Sequence, residues 1–98
     1  MSHRSKTRFA LLFVCLCVLS ACAGIPVQEM SDARQAIQAA REAGAESHSQ
    51  DKLQKAEQHL EDAKQALEQG EYKRARLSAN AAKAEAMQAQ KTSLSSGD

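Results

Sequence analysis

Large side chains are scarce in this sequence. Its 98 residues include no tryptophan, one tyrosine, two phenylalanines and one proline. Small-molecule pockets are usually lined by bulky apolar and aromatic groups, so a deep ligand site is not expected. β-Branched residues almost vanish after Ile37, which removes the usual material of strands. Cysteine occurs three times, as Cys15, Cys17 and Cys22, all in the first quarter of the chain. No strong charge excess is present, because thirteen cations against twelve acids leave a formal +1. A nucleic-acid partner, which calls for a clustered basic excess, is therefore not expected. Lys73, Arg74 and Arg76 form the one basic cluster and read as a solvated helix face. Long hydrophobic runs are also missing. The apolar stretch over residues 9–19 is about half the roughly 20 residues that a bilayer-spanning helix requires.

That short run has a meaning of its own. Arg4, Lys6 and Arg8 precede it, and Ser20 and Ala21 follow it as small residues. This is the layout of an export signal that is removed after use. The order Leu19-Ser20-Ala21-Cys22 resembles the lipobox of bacterial lipoproteins. The resemblance implies that cleavage falls between Ala21 and Cys22, with a diacylglycerol on the Cys22 thiol and an acyl chain on its new amino group. One acyl chain holds a protein only reversibly, whereas each buried methylene adds about 0.8 kcal/mol, so three chains amount to a permanent anchor. Ala23 stands where aspartate would mark retention in the inner membrane, which by the same resemblance favours the periplasmic face of the outer membrane.

Removing residues 1–21 from the 98 leaves 77, and takes away three cations and no acids, so the formal charge becomes −2. Cys22 is then the single cysteine, and acylation consumes its thiol. Disulfides and thiolate metal sites are not expected. The remainder holds seventeen alanines against eleven larger apolar residues, with Tyr72 the sole aromatic.

Those apolar residues recur at steps of three and four. Met30, Ala33, Ile37, Ala40 and Gly44 form one stripe; Leu53, Ala56, Leu60, Ala63 and Leu67 a second; Tyr72, Ala75, Ala79, Ala82, Ala86 and Ala89 a third. Each is heptad-like, and the intervening Gln, Glu, Lys, Arg and Ala are good helix formers. The sequence predicts an all-α domain over residues 27–91, either a short three-helix bundle or an antiparallel hairpin with an additional N-terminal helix. Pro26 suits a helix start and Gly44 a helix end, giving a first helix over 27–43. Ser47 or Ser49 is suited to cap a second over 50–69. One glycine at Gly70 costs only about 1 kcal/mol inside a helix, so the turn must be argued from register. Continuing the Leu53 stripe would select Gly70, Arg74 and Leu77, whereas the third stripe starts at Tyr72. The phase break favours a turn at Gly70 over one long helix, with a third helix over 71–91. Residues 22–26 form a short lipidated tether, and the serine-rich residues 92–98 read as a frayed tail.

The order Pro26, Ala33, Ala40, Gly44-Ala45, Leu53, Ala56, Leu60, Ala63, Ala66-Leu67, Gly70, Tyr72, Ala75, Ala79 and Ala82 resembles the bacterial envelope proteins grouped as domain of unknown function 4398. These are short lipoproteins, or N-terminal parts of longer proteins that carry a peptidoglycan-binding domain. The resemblance implies an envelope location and a helical architecture, and no biochemical activity. With Asp98 as its last residue, this chain is expected to lack the peptidoglycan-binding module. Gly70, Tyr72 and Ala75 are similar to the corner of a tetratricopeptide repeat, although one repeat cannot bury a solenoid face. The heptads are similar to those of the major outer-membrane lipoprotein, whose final lysine joins it to the wall; here the chain ends in Gly97-Asp98.

Catalysis needs convergent polar groups. His48 and His59 are eleven residues apart without a cysteine partner, which is not a zinc spacing. Glu61 and Asp62 are adjacent and so point apart on a helix. No nucleophile, phosphate loop or metal constellation is visible, so neither an enzyme nor a cofactor is expected. Two roles remain. One is an outer-membrane-anchored periplasmic lipoprotein with a structural or protein-interaction role, its partner an envelope protein or a second copy. The other is a periplasmic carrier or chaperone-like module for a soluble or cell-wall ligand.

Overall fold

Pro26 sets where the first helix begins. Its carbonyl accepts from Met30 N at 3.0 Å, and α1 runs Val27–Glu42. The computed structural model describes residues 24–96. The export segment read over 1–21, Cys22 read as the lipidation site, and residues 23, 97 and 98 lie outside them. Gly44, at φ +92°, ends α1 with its amide donating to the Arg41 carbonyl at 3.0 Å. The same residue starts a one-turn helix absent from the sequence reading, α2 over Ala45–His48. Its carbonyl accepts from Ser47 N at 3.1 Å and His48 N at 3.0 Å. α3 spans Gln50–Glu68 and α4 Tyr72–Ser96. Among the described residues there is no strand, and the fold is all-α.

Gly70 closes the turn between α3 and α4. It lies at φ +75°, its amide donates to the Leu67 carbonyl at 3.1 Å, and Glu71 N donates to Ala66 O at 2.8 Å. That pair of bonds is the Schellman motif, which satisfies two orphan carbonyls and needs a left-handed residue at this position. The chain therefore reverses at Gly70, as the phase break between the second and third stripes requires.

Polar pairs report the directions. Ser49 meets Ser93 and Lys52 meets Gln88, so α3 and α4 are antiparallel. Glu29 pairs with Arg76 at 3.4 Å and Asp32 with Lys83 at 3.8 Å, so α1 runs parallel to α4. It follows that α1 is antiparallel to α3, across which Arg41 pairs with Glu57. The result is a three-helix bundle with α4 at its hub: α4 packs extensively against both α3 and α1, which touch each other much less.

Two linked clusters form the interior. Ile37, Ala40, Ala45, Leu53, Ala56, Ala86 and Ala89 make one. Met30, Ala33, Ala63, Ala79 and Ala82 make the other. Leu60 packs against both. Every buried position of α4 is small: Ala75, Ala79, Ala82, Ala86, Ala89 and Ser93. Short side chains let helix backbones approach closely, so the hub helix gains its stability from contact area close to the backbone and not from bulk.

The third helix does not end near residue 91. It continues to Ser96 because Ser93, four residues beyond Ala89, extends the buried stripe and is 1% exposed. The expected frayed tail is thus helical through its first five residues. Serine and threonine are only fair helix formers, and here tertiary packing overrides that preference.

Candidate functional site

Of the two features that sequence singled out, the lipobox-like segment ending at Cys22 lies outside the described residues, and the packing face lies within them. The described chain begins at Gly24, two residues after Cys22. Val27 N donates to Ile25 O at 2.8 Å, a tight bend that leads directly into α1. Pro26 is fully buried, whereas its neighbours Ile25 and Val27 are 43% and 66% exposed. Residues 22–26 were read as a tether; from Gly24 onward they are a bend fixed to the bundle by a buried proline.

The packing residues fall as follows. Met30, Ile37 and Leu53 are buried, as are Ala75, Ala79 and Ala82. Leu60 and Leu67 are half-buried. Leu60 lies beside the shallow groove between α1 and α3, with Arg34, Ile37, Arg41, Glu57 and Lys64 around it. Alanines thus line the tight α4 contacts, and a leucine fills the wider gap on the far side. Tyr72 differs from the sequence reading: it is 41% exposed. It is the first residue of α4, beyond the last residue of α3, where little remains to cover it. Ala66 is buried in place of Leu67. Gly44 and Gly70 are the two turn residues.

One pair went unread in the sequence. Ser93 Oγ donates to Ser49 Oγ at 3.2 Å, in a buried contact. Ser49 is the residue preceding α3, but its side chain makes no capping bond to the helix; the hydroxyl is engaged with Ser93 instead. The available signal was arithmetic, since Ser93 follows Ala89 by four residues.

The ionisable groups are dispersed. Among the described residues no three His, Cys, Asp or Glu side chains gather as a metal site. His48 is exposed and His59 half-buried. Arg41 bridges Glu57 and, at 3.9 Å, Glu46, with all three side chains well exposed. Arg74 binds Glu71 at 2.7 Å. Such exposed pairs contribute about 0–1 kcal/mol each.

The outward side of α4 carries a second apolar series, Leu77, Met87 and Leu94, at 62%, 53% and 56% exposure. An open groove runs past Ala84, Met87, Gln88 and Leu94. Its described walls all come from α4. No described helix is long and apolar enough to cross a membrane.

This geometry, an alanine-lined helical hairpin with a parallel third helix, covers the segment that a family model matches: the model described as Domain of unknown function (DUF4398) aligns with residues 28–96. The chain belongs to that family. The DUF4398 match runs from the second residue of α1 to the last of α4, so the family unit and the described bundle coincide. No curated protein and no solved structure matches the chain.

Proposed function

We propose that this DUF4398 protein is a lipoprotein anchored at the periplasmic face of the outer membrane, with a structural or protein-interaction role in the cell envelope. The observation that carries the proposal is the order Leu19-Ser20-Ala21-Cys22 behind Arg4, Lys6, Arg8 and an eleven-residue apolar run. Cleavage before Cys22 and acylation of its thiol and amino group would supply three chains, enough for lasting attachment. The bundle supports the interaction role through its surface. Leu77, Met87 and Leu94 leave apolar area on α4 uncovered, and its groove is open and shallow. The role proposed is non-enzymatic.

Intact mass of the protein extracted from membranes tests the anchor. A chain starting at Cys22 with added acyl mass, retained in the outer-membrane fraction, is the expected result. Cys22→Ser should abolish the acyl mass and membrane retention; retention unchanged by that substitution would refute the anchor. Crosslinking in the intact envelope separates the interaction role from the carrier or chaperone-like alternative, for which the groove beside Met87 is the favouring feature. A defined crosslinked protein supports the first. A monomer that crosslinks to no protein and takes up an apolar ligand supports the second.

A further inference from the structure

Among the described residues, three of the six exposed large apolar side chains gather at one end of the bundle. Ile25 and Val27 flank the buried Pro26 at the start of α1, and Tyr72 opens α4. The two helices begin side by side, since Glu29 in the first turn of α1 reaches Arg76 in the second turn of α4 at 3.4 Å. A buried proline between two exposed aliphatics holds that pair outward as a fixed feature of the fold. Cys22 precedes Ile25 by three residues, a span of at most about 11 Å even when fully extended.

We infer that this end of the bundle is seated in the interface of the membrane, with Ile25, Val27 and Tyr72 inserted at the level between headgroups and acyl chains. The inference rests on the lipid anchor proposed above and adds how the domain stands on it. An acylated Cys22 keeps Ile25 within about 11 Å of the attachment point, close to the lipid surface. Aliphatic side chains gain from entering that boundary, and tyrosine, with an apolar ring and a polar hydroxyl, favours the same depth. Charge contributes little, because Glu29, Glu68 and Glu71 at this end balance Lys73, Arg74 and Arg76. The membrane contact is therefore apolar and does not require anionic lipid. Met87 and Leu94 are excluded from it by distance. Fifteen and twenty-two residues beyond Tyr72, they stand roughly 22 and 33 Å farther along the α4 axis.

The test uses the full lipidated protein, purified from membranes and reconstituted in phosphatidylcholine vesicles with or without lipids brominated near the top of the acyl chain. The chain has no tryptophan, so Tyr72→Trp and, separately, Leu94→Trp each give a single reporter at an exposed site. The expected result is a blue-shifted Tyr72→Trp emission that loses intensity in brominated vesicles, while Leu94→Trp keeps its intensity. Adding Ile25→Glu and Val27→Glu should abolish the Tyr72→Trp quenching with acyl mass and helical circular dichroism unchanged. Vesicle-bound protein in which neither reporter is quenched overturns the seating and leaves the anchor intact. Equal quenching of both reporters overturns it in favour of a bundle lying on its side. Protein without acyl mass that stays off the vesicles overturns the anchor and the seating together.

Discussion

At the scale of single residues, the three decisive positions are a glycine with free space around it and a pair of buried serines. A Cβ at Gly70 would meet nothing within 4 Å, so Gly70→Ala isolates backbone strain at φ +75°. A cost of about 1–2 kcal/mol is expected from urea unfolding, and Gly70→Asn should cost less, because asparagine enters the left-handed region more readily. Gly44 differs in that an added Cβ would sit 3.3 Å from the His48 ring, so strain and crowding act together there. Ser49 and Ser93 call for a cycle. Either single change to alanine leaves a buried hydroxyl unpaired and should cost about 1–2 kcal/mol, whereas the double change removes both polar groups and should cost less than the sum. Additive losses in the melting curves would show that the hydroxyls do not depend on each other.

At the scale of elements, α4 shows how much of this fold was legible and where legibility stopped. Ala75, Ala79, Ala82, Ala86 and Ala89 follow from spacing alone, because a helix that must bury one side repeats its small residues at three and four. The Gly70 turn follows from the phase break. Tyr72 misled because stripe arithmetic has no information about helix ends, where a position in phase can lie beyond the partner helix. Ser93 was hidden by its chemistry: a serine in a serine-rich stretch reads as tail until its hydroxyl has a buried partner. α2 was unreadable because four residues are too few to show a period. The proposed anchor is a contrasting case. Its signal is the residue order Leu19-Ser20-Ala21-Cys22, which lies outside the described residues. The alanine stripe itself predicts an asymmetry that mutation can measure. Ala82→Leu, at a position with no exposure, should overpack the hub and cost about 1–3 kcal/mol. Ala84→Leu, two residues on and exposed, should change stability by no more than about 0.5 kcal/mol. Thermal melts of the two variants compare them directly.

For the whole molecule, the relevant comparison is between one core residue and the total. A domain of fewer than about 80 residues rarely draws more than 3–5 kcal/mol from its core, and most of the core here is alanine. Leu53 is 4% exposed, and Leu→Ala at such a site costs about 2–5 kcal/mol. Leu53→Ala should therefore leave the domain largely unfolded at 25 °C, measurable as lost helical circular dichroism. Leu60→Ala should fall at the lower end of that range, since Leu60 is half-buried, yet it should broaden the transition by separating the two clusters that Leu60 joins. A sharp transition in Leu60→Ala would show that the clusters remain coupled through the three long helices that contribute to both.

An odd number of long helices also decides where the two ends of the bundle chain emerge. α1 and α4 run the same way and α3 returns between them, so Gly24 and Ser96 sit at opposite poles. With 25 residues in α4, the separation is roughly 37 Å at 1.5 Å per residue. The bundle is therefore a stand-off. Whatever is joined to one pole is carried a fixed height above whatever is joined to the other, and a two-helix version of the same unit would return both to the same level.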